Sequence, residues 1–146
     1  MRVMVIVKAS RDTETGVLPS QKLLTEMGAY NEELVKAGIM LAGEGLQDSS
    51  KGVRVVFAKG KQKVIDGPFA ETKELIAGFW LWQVRDMAEA VAWLRRMPQA
   101  DENEYVVEIR RVFEAEDFGA AMTPELKIQE DRLRAESEAN AMAKRA

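Results

Sequence analysis

Cysteine and histidine are both absent from the 146-residue chain. Their absence removes disulfides, thiolate nucleophiles, Ser-His and Cys-His dyads, zinc-finger sites and the usual haem ligand. Any proton chemistry therefore falls to Asp, Glu, Lys or Tyr. Glycine and proline are sparse, at 10 and 4 residues, and no Gly-rich phosphate loop, HExxH or EF-hand pattern occurs. Neither a metal nor a cofactor is expected. No apolar run approaches the ~20 residues that cross a bilayer. The opening residues 1–8 are too short for a secretory signal and no small-residue cleavage site follows them, which makes the cytoplasm the expected location.

A dense positive face is missing as well. The net charge is −3, with 11 basic and 9 acidic side chains in residues 1–73 and 10 and 15 in residues 74–146. Binding to a nucleic acid by counterion release needs a cationic surface, so direct DNA or RNA binding is not expected. What remains is an ordinary globular mixture, 47% hydrophobic and 31% charged. A chain of this size buries roughly 68–70% of its unfolded surface, enough for one core, so one domain with an appendage is expected.

The periodicity then sets the order of elements. Val3 to Val7 is continuously apolar and reads as a strand covered on both faces. Arg11 to Ser20 reads as a polar loop. From Ser20 to Ala37 the period becomes helical, with Leu23, Met27, Tyr30 and Leu34 on one face, Ser20 able to cap the start and Gly38 the end. Ile39 to Gln47 is extended, and Gly43 and Gly45 predict a bulge or a close approach there. Val53 to Ala58 is a strand that turns at Lys59-Gly60-Lys61 and returns through Val64-Ile65. Asp66-Gly67-Pro68-Phe69 is turn chemistry, and Leu75 to Val84 is the most hydrophobic strand.

A second helix starts at Asp86, where Glu89 can reach back in a capping box, and its apolar face runs from Met87 to Met97 ahead of Pro98. A polar loop with Asp101, Glu102 and Asn103 leads to a last strand from Tyr105 to Phe113. Thr123 and Pro124 open a third, polar helix, where Lys127/Asp131 and Glu130/Arg134 can pair. The fold class is α+β, a ferredoxin-like βαββαβ unit with an inserted hairpin, an antiparallel sheet and a C-terminal helical extension. The domain is expected over residues 1–118 and the extension over residues 119–146.

Phe79/Leu81 and Trp80/Trp82 project from opposite faces of one strand, and Met4/Ile6 and Val3/Val5/Val7 repeat the pattern. Both sheet faces therefore call for cover, and two amphipathic helices supply one. An exposed apolar sheet is unusual for a monomer. Pairing of two sheets face to face gives a homodimer closed as an α/β-barrel. The alternative is that the C-terminal helix covers the second face of its own chain.

The block Asp66-Gly67-Pro68-Phe69-Ala70-Glu71-Thr72-Lys73-Glu74, with Leu75, Gly78, Gly38 and Gly43-Glu44-Gly45-Leu46-Gln47, resembles the DGPF family of YCII-related proteins. Asp86, Glu89-Ala90 and Glu108-Ile109-Arg110 fit the same family, over about residues 1–118. The resemblance implies a dimeric α/β-barrel of ferredoxin-like subunits and says little of activity, since the family is largely uncharacterised. Some members are encoded beside or fused to ECF-type sigma factors, which implies such a factor as a partner. One YCII-related protein is a chloromuconolactone dehalogenase, and others have a proposed His-Asp active site. With no histidine here, Asp66 is the only counterpart that dyad can have.

The residues that could carry chemistry are Asp66, Lys73 and Glu71 for catalysis and Glu44, Arg111, Trp80 and Trp82 for binding a small, anionic or aromatic molecule. Each has a structural alternative. Asp66 before Gly-Pro suits an Asx-type turn. Glu71, Thr72, Lys73 and Glu74 form either a functional polar cluster or an interchain ion-pair network. Glu44 lies between glycines that admit a ligand or make a bend. Arg110 and Arg111 alternate, so one should face inward to hold an anion or to pair with Glu44 or Asp66. Trp80, Trp82, Phe79 and Trp93 line either an aromatic pocket or the core. Catalysis of a lyase, isomerase or dehalogenase type, a regulatory ligand-binding module and a purely structural dimer are the three functions compatible with these residues.

Overall fold

The computed structural model describes residues 1–99, 104 and 106–145, in two compact units, Met1–Val112 and Phe113–Ala146. The first unit runs β1 (Arg2–Lys8), α1 (Arg11–Glu14), α2 (Gln21–Lys36), β2 (Met40–Gly45), β3 (Val53–Ala58), β4 (Lys61–Asp66), β5 (Ile76–Gln83), α3 (Met87–Leu94) and β6 (Val107–Arg111). With α1 and the β3–β4 hairpin set aside, the order is βαββαβ. The four remaining strands form an antiparallel sheet ordered β2-β5-β1-β6, the ferredoxin-like arrangement.

Register explains where the core sits. Val3 pairs with Trp82 and Val5 with Trp80, so all four point to the same face. All four are buried there together with Tyr30 and Leu34 of α2 and Ala90 of α3. Met4 pairs with Leu81 and Ile6 with Phe79 on the opposite face, where all four are half-buried. The alternation read from the sequence thus separates the two tryptophans from Phe79 and Leu81 as expected.

The helix ends follow local chemistry. Ser20 Oγ accepts from the Leu23 amide at 3.1 Å, and Gly38, one residue past the Ala37 cap, takes φ +70° so that the Ile39 amide can reach the Leu34 carbonyl at 2.9 Å. Asp86 Oδ1 accepts from the Glu89 amide at 2.8 Å. Glu89 reaches back to the amide of Arg85 at 2.6 Å, one residue before the expected cap. Helix α3 stops at Leu94 rather than Met97. The Arg96 and Met97 amides bond three residues back, to the Trp93 and Leu94 carbonyls, and tighten the last turn while Met97 still packs on the core.

Three further expectations are corrected. Arg11–Glu14 is a short helix and not a loop, capped by Ser10 and Thr13, which hydrogen-bond each other's amides. The last strand covers Val107–Arg111, shorter than the span read from Tyr105 to Phe113; Tyr105 and the Asp101, Glu102 and Asn103 loop lie outside the described residues. Lys127 meets Glu116 at 3.7 Å and not Asp131.

Strands β3 and β4 pair as a separate hairpin whose every residue is exposed. Lys59 and Gly60, at φ 51° and 74°, make its tight turn. In the second unit, Phe113 and Phe118 stack at 5.0 Å, and Thr123 Oγ1 accepts from the Leu126 amide at 3.3 Å to open α4 (Pro124–Arg145). Arg134 donates to Glu130 at 2.7 Å, and no residue of α4 is buried.

Candidate functional site

Between α2 and the β2–β5 side of the sheet lies a cavity of about 280 Å³. Missing side chains create it. Gly43 and Gly45 of β2 and Gly78 of β5 border it, with Val7 of β1, Met27 and Asn31 of α2, and Trp80 of β5 as walls. The glycines differ in what holds them. A Cβ on Gly43 would come within 2.5 Å of Trp80 Cδ1, and one on Gly78 within 2.9 Å of the Glu44 carbonyl oxygen. A Cβ on Gly45 would meet nothing within 4 Å. Of the two readings of this segment, the close approach holds at Gly43, where a ring comes near; the register shift lies earlier, between Met40 and Ala42, and pairing through Gly43 and Gly45 is regular.

Trp80 is fixed by its neighbours. Its indole nitrogen donates to Asn31 Oδ1 at 3.0 Å, its ring meets Tyr30 edge-on at 6.1 Å, and Trp82 lies 6.0 Å behind it. The Tyr30 hydroxyl donates to the Trp93 carbonyl at 2.9 Å, and burial pushes its pKa up to about 12. Trp82 is fully buried and its Nε1 has no partner among the described residues. Of the two tryptophans read as binding residues, Trp80 therefore borders the cavity and Trp82 belongs to the core.

The Asp66-Gly67-Pro68-Phe69 block forms a joint at the base of the hairpin. Asp66 closes β4 opposite Val53 and is exposed; the turn is held by main chain, with the Gly67 amide donating to the Gly52 carbonyl at 3.0 Å, and not by an Asx-type bond. The Gly67–Pro68 peptide is cis. Ser49 Oγ accepts from the Phe69 amide at 3.0 Å, and the Ser49 amide donates to the Glu14 carboxylate at 3.2 and 3.3 Å. The Arg54 guanidinium lies 3.9 Å above the Phe69 ring and 3.9 Å from Glu71.

This geometry separates the catalytic candidates from the cavity. Asp66, Glu71 and Lys73 do not border it; Glu71 pairs with Arg54, and Lys73 makes no ion pair among the described residues. Glu71 and the turn Thr72–Glu74 therefore lie apart from the cavity lining. Arg111 is exposed at the end of β6, opposite Val3, and Arg110 pairs with Glu108 at 3.6 Å. Among the described residues neither arginine meets Glu44 or Asp66, because β6 and β2 are opposite edges of the sheet. Glu44 borders the cavity, although its pairing with Phe79 puts it in the alternation of the opposite sheet face.

Asn31 is the residue that the sequence reading passed over. Its signal was available: it lies four residues after Met27, a polar side chain beside a core-facing stripe. Among the described residues no group of three or more acidic side chains could hold a metal ion, and no helix is long and apolar enough to cross a membrane.

The family model of the YCII-related domain matches residues 1–116. An uncharacterised protein of Rhizobium meliloti (strain 1021) is 28% identical over 90 residues, which is 62% of this chain and 73% of that protein. The sheet order, the glycine-lined β2 and the hairpin joint all fall inside the matched span, and the chain belongs to the YCII-related family.

Proposed function

We propose that the chain is a small-molecule-binding protein that works as a homodimer, with the ligand seated between α2 and the sheet. One observation carries this reading: a cavity of about 280 Å³ with an aromatic wall held in place by hydrogen bonding and a floor of glycine. Concave, mostly apolar sites with a few fixed polar groups are where small ligands bind. Native mass spectrometry of the purified full-length chain tests it. A retained small organic mass is expected; no adduct, together with no melting shift across a library of small organic compounds, refutes it.

The dimer is supported by the sheet face opposite the helices. Met4, Ile6, Phe79 and Leu81 form an apolar strip, with the Lys8, Glu108 and Arg110 ion pairs toward the β6 edge. An apolar centre with a charged rim is how subunit interfaces are composed. Sedimentation velocity of the wild type is expected to give twice the 16.4 kDa chain mass, and Leu81→Lys a single chain. A wild type that is monomeric at micromolar concentration removes the dimer.

Acid–base turnover is the second reading: Glu44 is the one ionisable residue among the described residues that border the cavity, and its carboxylate, which strand pairing puts in the alternation of the opposite face, would have to turn toward the ligand. A lyase, isomerase or dehalogenase-type step would then use this carboxylate as its base. Glu44→Gln would abolish turnover while the ligand is still retained. The resemblance to family members encoded with ECF-type sigma factors supports a sensor instead, in which the occupied cavity is the signal; Glu44→Gln would then leave the response intact.

A further inference from the structure

We propose that the cavity selects an uncharged, flat aromatic compound carrying a hydrogen-bond acceptor, and that it rejects organic anions. This inference rests on the reading of the cavity as a ligand site and adds the chemical class of what enters it.

Charge is the first argument. Among the described residues that border the cavity there is no lysine or arginine, and Glu44 borders it while its side chain follows the alternation of the opposite sheet face. Met27 and Asn31 lie in the middle of α2, away from the helix ends, so the macrodipole supplies no compensating positive field. An anion entering here would lose water and find no cation among these residues to replace it. The expectation of an anionic ligand, drawn from an inward-facing Arg110 or Arg111 that would hold it, loses its basis at this cavity because both arginines are on the far edge of the sheet.

The polar group in the wall gives the second argument. An indole N–H can only donate, so the atom of Asn31 facing Trp80 must be its carboxamide oxygen. That bond fixes the side chain and leaves the Asn31 Nδ2 hydrogens without a partner among the described residues. The cavity therefore offers a donor. An acceptor such as a carbonyl or ether oxygen complements it, while the Trp80 ring and the Met27 thioether favour a flat aromatic body. Volume agrees: a cavity of roughly 150 Å³ already takes benzene, so about 280 Å³ has room for one or two fused rings.

Two isosteric probes, 2-naphthamide and 2-naphthoate, test the inference by titration into the ¹⁵N-labelled full chain. The Trp80 indole resonance is assigned with Trp80→Phe. Saturable shifts of this resonance and of the Asn31 amide pair are expected with naphthamide, and affinity for naphthoate is expected to be about tenfold lower or worse. Asn31→Asp keeps the acceptor for Trp80 but removes the donors, and should weaken naphthamide binding about tenfold. Gly45→Val fills the cavity where there is open space for a side chain, and should abolish the shifts while the other indole resonances stay in place. Naphthoate binding as tightly as naphthamide overturns the selectivity and leaves the cavity as a ligand site. Shifts that survive Gly45→Val, or no saturable shift with either probe, overturn the cavity reading and this inference with it.

Discussion

A Cβ on Gly67 would lie 1.7 Å from the main-chain oxygen of Ser49, inside any permitted contact distance. The glycine of the Asp-Gly-Pro-Phe block is thus required by the closeness of two backbone segments, not by catalysis. Gly67→Ala must push the chain away from Ser49 and break the bonds that tie the hairpin to α1. A loss of about 1–3 kcal/mol is expected in urea denaturation, the range for overpacking a tight site. Wild-type stability in this variant would show that the joint relaxes freely.

Trp80 is 7% exposed and touches both the core and the cavity. Trp80→Ala should cost about 3–5 kcal/mol, as for other buried aromatics. A change under 1 kcal/mol in a two-state urea titration would remove Trp80 from the core.

The two adjacent tryptophans should respond in opposite order to their burial. Trp82 is the more deeply buried, yet its indole N–H lacks a partner, so Trp82→Phe relieves a desolvated donor while it removes volume. Trp80→Phe leaves Asn31 Oδ1 without its donor. Trp82→Phe is therefore expected to retain more stability than Trp80→Phe, by roughly 1 kcal/mol. The reverse order in parallel denaturation curves contradicts this.

Tyr30 supplies a pH signature. Its hydroxyl ionises only at about 12 in the folded chain, chiefly because it is buried, against 10.0 for a free tyrosine. A raised folded-state pKa of this kind stabilises the fold fully below pH 10, and that contribution fades as the pH rises through about 12. At about 1.4 kcal/mol per unit, the difference amounts to roughly 2–3 kcal/mol. Tyr30→Phe loses the bond to the Trp93 carbonyl, about 0.5–1.5 kcal/mol at neutral pH, and is spared the alkaline decline. Urea titrations at pH 8, 10 and 11.5 should show the wild-type advantage shrinking; parallel curves would mean that Tyr30 ionises as an exposed phenol.

Local chemistry was the legible part of this chain. Ser20, Asp86 and the Thr123-Pro124 pair mark helix starts because a side-chain oxygen beside free amides is a short-range signal. Alternation separated Trp80 and Trp82 from Phe79 and Leu81 for the same reason: period two is written into neighbouring residues. What was hidden depends on register between distant segments. Glu14 meets Ser49 across 35 positions, and Ser49 meets Phe69 across 20 more, so neither α1 nor the hairpin joint could be read from its own stretch. The cavity was hidden likewise, because Gly45 and Gly78 face each other only once β2 and β5 are paired. Composition could nominate Asp66, Glu71 and Lys73 as polar neighbours, but nearness along the chain at a tight turn did not put them at the cavity.

The three glycines of the cavity are unequal in freedom, and this matters when related chains are compared. Positions 43 and 78 are clamped by a ring and a backbone oxygen, so they can report only on whether the fold is kept. Position 45 has open space, so it alone works as a calliper for the bound molecule. Alanine, serine or valine at the equivalent position of another member would narrow the slot stepwise, and would let ligand size diverge within one unchanged scaffold.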